Sequence, residues 1–339
     1  MQTDNQDGCQ EGEAPASCPF VSLGLPVYNG SNFLRPALDS ILAQTYRNWE
    51  LILSDNGSSD STPSICADYA AADSRIRFYR HPVNMGASRN FNFVFGMARG
   101  PLFRWTAHDD TCEPTLIERC VEGLEAHPTA VLCHPRTRVI GPSGEILYND
   151  PVRLRTGSPQ VERRYKDLIC VDHACFQIFG LIRTEILRQT PLLGAFVGSD
   201  RNLLAELALH GPFLEIQEEL FFRRDHPNTS TRQFPLASAR LAWFKDSTRG
   251  ARFPTLHRAY GYLASLARAP LTMGERMACL AGLAEWSSQR LLSFFRTTKD
   301  SAEALMRAWR IGKQAVGLPA ANPRLANPPA LTTDSPSRL

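Results

Sequence analysis

The 339-residue chain has no run near the roughly 18 consecutive apolar residues of a membrane-spanning helix. None of its nine cysteines forms a pair with the two-residue spacing of zinc and redox motifs, and their number is odd. Reduced thiols in a cytoplasmic protein are therefore expected, with Cys133 and Cys170 as small core residues inside apolar runs. No G-x-G-x-x-G follows the first apolar segment, which argues against a nicotinamide-dependent dehydrogenase. A dense basic run and a basic strand interleaved with aromatics are both lacking, so no nucleic-acid partner is expected. The first 18 residues carry Asp4, Asp7, Glu11 and Glu13 instead of the basic and then apolar start of a secretory signal. Residues 1–18 are predicted to be a disordered tail.

What is present is ordinary in amount and uneven in place. A hydrophobic fraction of 43% is that of a globular protein with a full core. The net charge is +3, yet residues 240–339 hold 15 Lys/Arg against 6 Asp/Glu. That basic excess suits either a solvated arginine-rich helical surface or contact with an anionic membrane or pyrophosphate. From Gly317 onward the chain is rich in Pro, Ala and Asn, and 316–339 is predicted to be a disordered tail.

Apolar periodicity predicts alternating elements. Strands are expected at Val21–Val27, Glu50–Leu53, Ile76–Tyr79, Leu102–Thr106 and Ala130–His134. Helices fall between them, at 33–45, Pro63–Ala72, Ser88–Ala98 and Pro114–Ala126. Strand–helix alternation implies an α/β fold with a mostly parallel, Rossmann-like sheet flanked by helices. Further on, Phe176–Leu181 and Phe213–Phe222 read as strands and Asp200–Leu209 as a helix stopped by Gly211-Pro212. Residues 236–313 read as several helices, with Met273, Met277, Leu280, Ala284 and Leu291 on one core-facing side.

Polar residues gather at the predicted strand ends, where ligands bind in open α/β sheets. The first set is Pro26, Tyr28 and Asn29; the tyrosine could stack on a flat base or simply lie in a surface turn. In the second, the strand Glu50–Leu53 opens into Asp55-Asn56-Gly57-Ser58, with Asp60 and Thr62 behind. An acid and an amide there could hydrogen-bond a base or ribose, or serve a plain turn. Asn84, Gly86, Ser88, Arg89 and Asn90 form the third, a turn into a helix. It offers main-chain N–H groups and a guanidinium to phosphate, or ordinary capping. The fourth is Asp109-Asp110, two adjacent carboxylates that repel unless a cation neutralises them. Mg²⁺ or Mn²⁺ bound to a diphosphate would do so, with His108 a ligand or a turn residue. Asp200 reads as a helix cap or as a general base. Arg223, Arg224 and His226, after the strand Phe213–Phe222, could clamp a diphosphate or form a solvated loop.

Together, and in this order, these sets resemble the inverting family 2 glycosyltransferases with the GT-A nucleotide-diphospho-sugar transferase fold, over roughly residues 19–230. The resemblance implies a GT-A domain at 19–235, with a nucleotide-binding half at 19–135 and an acceptor and catalytic half at 136–235. A helical C-terminal region would cover 236–315. Nucleotide contacts are implied for Pro26, Tyr28, Asn29, Asp55, Asn56, Arg89 and Asp110. Asp109 and His226 would hold Mg²⁺ or Mn²⁺, Arg223 and Arg224 the diphosphate, and Asp200 would be the base. The family's Asp-x-Asp motif aligns with Ala107-His108-Asp109, so its first acid is replaced here. Ser199 stands where an acid often precedes the base.

The implied donor is a UDP-, GDP- or dTDP-sugar. The implied acceptor is a cell-surface glycan or lipid-linked glycan, handled in the cytoplasm at the inner face of the membrane. Two other classes fit less well. A sugar-phosphate nucleotidylyltransferase would need a Gly-rich, Arg-containing loop where Pro26-Val27-Tyr28-Asn29-Gly30-Ser31 stands. A non-catalytic nucleotide-sugar-binding scaffold draws its support from Ala107 alone.

Overall fold

The computed structural model describes residues 20–229, 232 and 254–292. Parts of the expected regions 19–235 and 236–315 lie outside these, and 1–18 and 316–339 do so entirely. The chain divides into two compact units, 1–287 and 288–339. The second is described only over 288–292, which are helical; the sheet, its flanking helices and the site residues all belong to the first.

Strands β1 (Val21–Val27), β2 (Trp49–Asp55), β3 (Ile76–Arg80) and β4 (Leu102–Trp105) alternate with α1 (Ser31–Leu42), α2 (Thr62–Ala72) and α3 (Ala87–Gly96). These four strands are parallel, in the order β3-β2-β1-β4. Their residues point alternately into two cores, as the period of two requires. Leu51 and Leu53 join Leu23, Leu25, Leu34 and Leu38 on one side. Ile52 joins Val94, Phe103 and Trp105 on the other.

The second half of the sheet is mixed. It holds β5 (Thr111–Cys112), β6 (Leu132–Ile140), β7 (Ile146–Asn149), β8 (Leu181–Arg183) and β9 (Phe213–Arg224). Helices α4 (Leu116–Ala126), α5 (Val161–Cys170), α6 (Thr184–Leu187) and α7 (Ser199–His210) connect or flank them. β6 and β9 are parallel, whereas β8 runs antiparallel to both β4 and β6. β5 and β7 are short antiparallel additions that the apolar pattern does not reveal. α8 (Pro254–Arg268) and a further helix, α9, over residues 273–287 complete the unit.

Two expectations change. Phe176–Phe179 is a 3₁₀ turn, and only from Leu181 does the chain pair as a strand. Cys175 enters this turn in the left-handed region (φ +59°), and Phe179 packs its ring against Phe221 at 5.4 Å. A six-residue apolar run fits a buried helical turn as well as a strand. In α9 the buried side is Cys279, Leu283 and Trp286, while Met273 and Met277 are exposed. With apolar residues on both sides, the Met/Leu/Ala periodicity picks the wrong one.

Glu50 ties the parallel half together from within β2. It is buried, and its Oε1 accepts from Ser22 Oγ (2.7 Å) and Arg99 N–H (3.0 Å), its Oε2 from Arg77 Nη1 (2.7 Å). Removing one partner of a buried ionic network leaves the others unpaired. Glu50→Ala is expected to destabilise the fold by about 3 kcal/mol, read as a lower denaturant midpoint. Glu50→Gln, which keeps an acceptor, should cost less.

Candidate active site

The parallel strands end level: Val27 pairs with Asp55, and Asp55 with Arg80. The residues that follow share one edge. Asp55 is fully buried. Its Oδ1 accepts the Ser58 N–H (3.0 Å). Its Oδ2 lies 3.4 Å from Arg80 Nε and yet has no hydrogen bond. Beside it is a cleft of about 370 Å³ lined by Gly57, Ser58, Arg80, His81 and Pro82. A buried carboxylate oxygen left without a donor is costly unless a ligand supplies one. No sequence motif marks Arg80 and His81. The level strand ends, counted from Asp55, would have found them.

Several polar residues around the cleft hold its walls. Asn56 Nδ2 donates to Asn84 Oδ1 (2.9 Å), and Asn56 Oδ1 accepts Met85 N–H (2.9 Å), so its amide fastens the 84–86 turn. Asn90 is buried, taking Ser54 Oγ on its Oδ1 (2.6 Å) and giving Nδ2–H to Ser54 O (3.1 Å). Asn29 donates its N–H to Ser58 Oγ (2.8 Å) and accepts Ser59 N–H on Oδ1 (2.9 Å). Gly30 N–H reaches Thr62 Oγ1 (3.0 Å) and Ser31 N–H reaches Asp60 Oδ2 (3.2 Å), so the loop after β2 caps α1. Pro26 is buried inside β1, in register with Ser54 of β2. Tyr28 and Arg89 are exposed on this edge. Of the predicted nucleotide contacts, Asn29 and Asn56 are bolts between loops.

The start of α1 also reaches the acidic loop. His108 packs directly against Gly30, where any Cβ would collide with its ring. Phe33 packs at a tilt against His226 (centroids 4.5 Å apart, planes at 47°), and the Arg224 guanidinium carbon lies 5.1 Å from the Phe33 centroid. His226 Nε2 and Asp109 Oδ2 are 3.0 Å apart. Burial would push the Asp109 carboxyl up. The nearby His108 and the His226 hydrogen bond outweigh that and bring it down to about 2. Asp109 is therefore an anion at any ordinary pH.

Asp110 and Arg224 depart from expectation. Asp110 is buried, and its Oδ1 accepts the Arg224 N–H (2.8 Å). Burial, and then the Asp109 charge, push its carboxyl well above the usual range. In the structure it braces β9. Arg224 is buried too, donating to Asp109 O (3.0 Å), Gly141 O (3.1 Å) and Pro142 O (3.0 Å). Its Nε and Nη1 are engaged by main-chain carbonyls, so it holds the Asp109 backbone in place. Arg223 is engaged by Asp225, which also accepts from Arg232.

Asp200 lies in the first turn of α7, half-buried, with Oδ1 accepting the Arg201 N–H (2.8 Å). Burial raises its carboxyl above the usual value, against the hydrogen bond and charge of Arg201. The loop ahead of α7 is tied to α3: Asn92 Nδ2 donates to Leu193 O (2.9 Å), and Leu193 N–H to Asn92 Oδ1 (3.1 Å).

A divalent cation is tested by the donor set. Asp109 and His226 offer one permanent carboxylate and one imidazole. No cluster of three or more His, Cys, Asp or Glu suited to a metal occurs among the described residues. Two protein ligands fit Mg²⁺ or Mn²⁺ where substrate phosphates and water fill the other positions.

This sheet, with its strand-end cleft and acidic loop, is that of a GT-A-type glycosyltransferase domain. Residues 22–189 match the family described as glycosyl transferase family 2, and the domain they form belongs to that family. A protein named uncharacterized glycosyltransferase from Rickettsia typhi is 42% identical over 106 residues, 31% of this chain and 32% of its own. One so named from Haemophilus influenzae is 33% identical over 117 residues, 34% of this chain and 36% of its own. A Rickettsia felis relative, 40% identical, is matched over only 17% of its length. The chain thus spans about a sixth to a third of these curated relatives. Among solved structures, S. aureus TarS 1-349 in complex with UDP superposes with TM-score 0.56 at 14% identity, covering 82% of this chain and 73% of that one. Its complex with UDP-GlcNAc gives TM-score 0.57 at 13% identity, covering 79% and 71%. That likeness shows the fold. No described helix is long and apolar enough to cross a membrane.

Proposed function

We propose that this chain transfers a sugar from a nucleoside-diphosphate sugar to an acceptor hydroxyl, with inversion at the anomeric carbon. The observation that carries the reading is the buried Asp55 Oδ2, an acceptor without a donor beside an open cleft. The N3–H of uracil or thymine, or the N1–H of guanine, would complete it. Tyr28, exposed at the next strand end, is placed for stacking, and Arg89 for the phosphates. The relatives' names and the UDP-GlcNAc bound by TarS favour the same reading.

In the proposed reaction Asp200 accepts the proton of the acceptor hydroxyl. The acceptor oxygen forms its bond to the anomeric carbon from the face opposite the diphosphate. The anomeric C–O bond breaks through an oxocarbenium-like state, and its electron pair leaves on the β-phosphate oxygen. Asp109 and His226 would hold Mg²⁺ or Mn²⁺, which supplies positive charge against the leaving diphosphate. Arg224 keeps Asp109 in place from behind.

Incubation with UDP-, GDP- and dTDP-sugars tests this, following release of the nucleoside diphosphate. One nucleotide class should be consumed; no consumption of any, by folded protein, contradicts it. The pH profile carries a second expectation. Asp200 must be ionised to act, and burial raises its carboxyl. Activity should therefore be full at neutral pH and fall, as pH drops, at a midpoint above the ordinary carboxylate value of about 4. A midpoint at or below that value contradicts the assignment.

The acceptor proposed is a cell-surface or lipid-linked glycan, reached at an anionic membrane through the basic excess of residues 240–339. The full chain should float with anionic but not neutral liposomes and be released by high salt. Failure to float with either discards the membrane contact.

A further inference from the structure

Asp200 and its surroundings lie beyond the stretch that matches the family model. α7 opens at Gly198 with φ +88°, a left-handed conformation that favours glycine. Space demands glycine there as well: a Cβ would stand 2.9 Å from Arg258 Cδ, so the arginine stem from α8 fills that place. Asn202, one turn into α7, donates Nδ2–H to Arg258 O (3.1 Å). It also fills the space beside Gly261, so α8 lies tightly on the start of α7. Tyr262 is fully buried and meets Trp286 of α9 edge-on, at 5.2 Å and 90°. The Arg258 guanidinium carbon stands 5.8 Å from the Trp286 centroid.

The charged and titratable groups facing Asp200 come from three elements. They are Arg201 of its own helix, Arg258 and Tyr262 of α8, and Cys175 of the turn before the 3₁₀ segment. The Arg201 guanidinium is committed to the 171–173 loop. It donates to Val171 O (2.8 Å), His173 O (2.7 Å) and Asp172 Oδ1 (3.3 Å). The second cation beside Asp200 is therefore delivered by α8.

We propose that Arg258 is a positioning residue for Asp200: with its stem seated in the gap left by Gly198 and its main chain held by Asn202, its positive charge stands beside the start of α7 and keeps the carboxylate ionised for removal of the acceptor proton. This rests on the reading of Asp200 as the base. It makes the C-terminal helices part of the catalytic apparatus, because burial alone would leave Asp200 protonated more readily.

The first measurement needs no substrate. Carbon-13 NMR of the aspartate carboxyls in the full chain, with Asp200 assigned by Asp200→Asn, follows its titration directly. In Arg258→Met the Asp200 carboxyl should titrate about one pH unit higher than in the wild type. Arg258→Lys should restore most of the difference. Near-UV circular dichroism verifies folding, and Arg258→Gln replaces the methionine variant should that one misfold. An unmoved Asp200 titration in a folded variant overturns the proposal. Undiminished donor turnover by Asp200→Asn, alongside a shifted titration, overturns the reading of Asp200 as base and with it the role given to Arg258.

Discussion

Asp55→Ala is expected to weaken binding of the accepted nucleoside diphosphate by roughly 30- to 150-fold, the equivalent of about 2–3 kcal/mol for one charge-assisted hydrogen bond made in a buried site. The effect is large because Asp55 does two things. Its Oδ2 is the open acceptor beside the cleft, and its Oδ1 holds the Ser58 N–H that shapes the loop. Asp55→Asn separates the two. The amide oxygen can keep Ser58, while the amide nitrogen now presents a donor to the base. Against the N3–H of uracil that is donor facing donor; against the N3 acceptor of cytosine it is a match. Asp55→Asn should therefore lose affinity for whichever of UDP, GDP or dTDP the wild type binds and gain relative affinity for CDP. Equal losses for the two would mean that Asp55 acts only on the loop. Isothermal titration calorimetry reads each constant.

Asp200→Asn is expected to lower the transfer rate by about 10³-fold or more, within the range for loss of a general base. The substitution is nearly isosteric, and the amide oxygen can still accept the Arg201 N–H that Oδ1 holds at 2.8 Å. Folding and nucleotide affinity should stay as they are. A lowered kcat with unchanged nucleotide affinity marks a residue that acts in the transition state alone. A loss of affinity of similar size would mark Asp200 as part of the binding site instead.

Strand–helix alternation and the strand-end acids were legible because both are local. Val21–Val27 is an unbroken buried run, Asp55 is the last residue of β2, and Asp109 follows β4 within a few residues. What the acids' neighbours do was not legible. Asp110 and Arg224 look like ligand-binding residues in a linear reading. They meet each other across 114 positions, through a strand pairing that periodicity does not encode. Asn56 is similar: its partners at 84–86 arrive with the next strand–helix crossover. Such residues resemble a site because a site needs rigid walls, and walls use the same polar side chains. Arg258 was hidden for the opposite reason. It sits in the basic C-terminal region, which reads as solvated surface, and only the packing of α8 on Gly198 brings it near Asp200.

Everything proposed for this chain depends on the strand-end edge holding a nucleoside diphosphate between Asp55 and Asp109. Calorimetric titration of the wild type and Asp109→Ala with UDP, GDP and dTDP, each with Mn²⁺ and with EDTA, tests this most directly. Saturable binding of one nucleotide class is expected, tightened by Mn²⁺ in the wild type and indifferent to it in Asp109→Ala. No binding of any nucleotide by folded protein would contradict it.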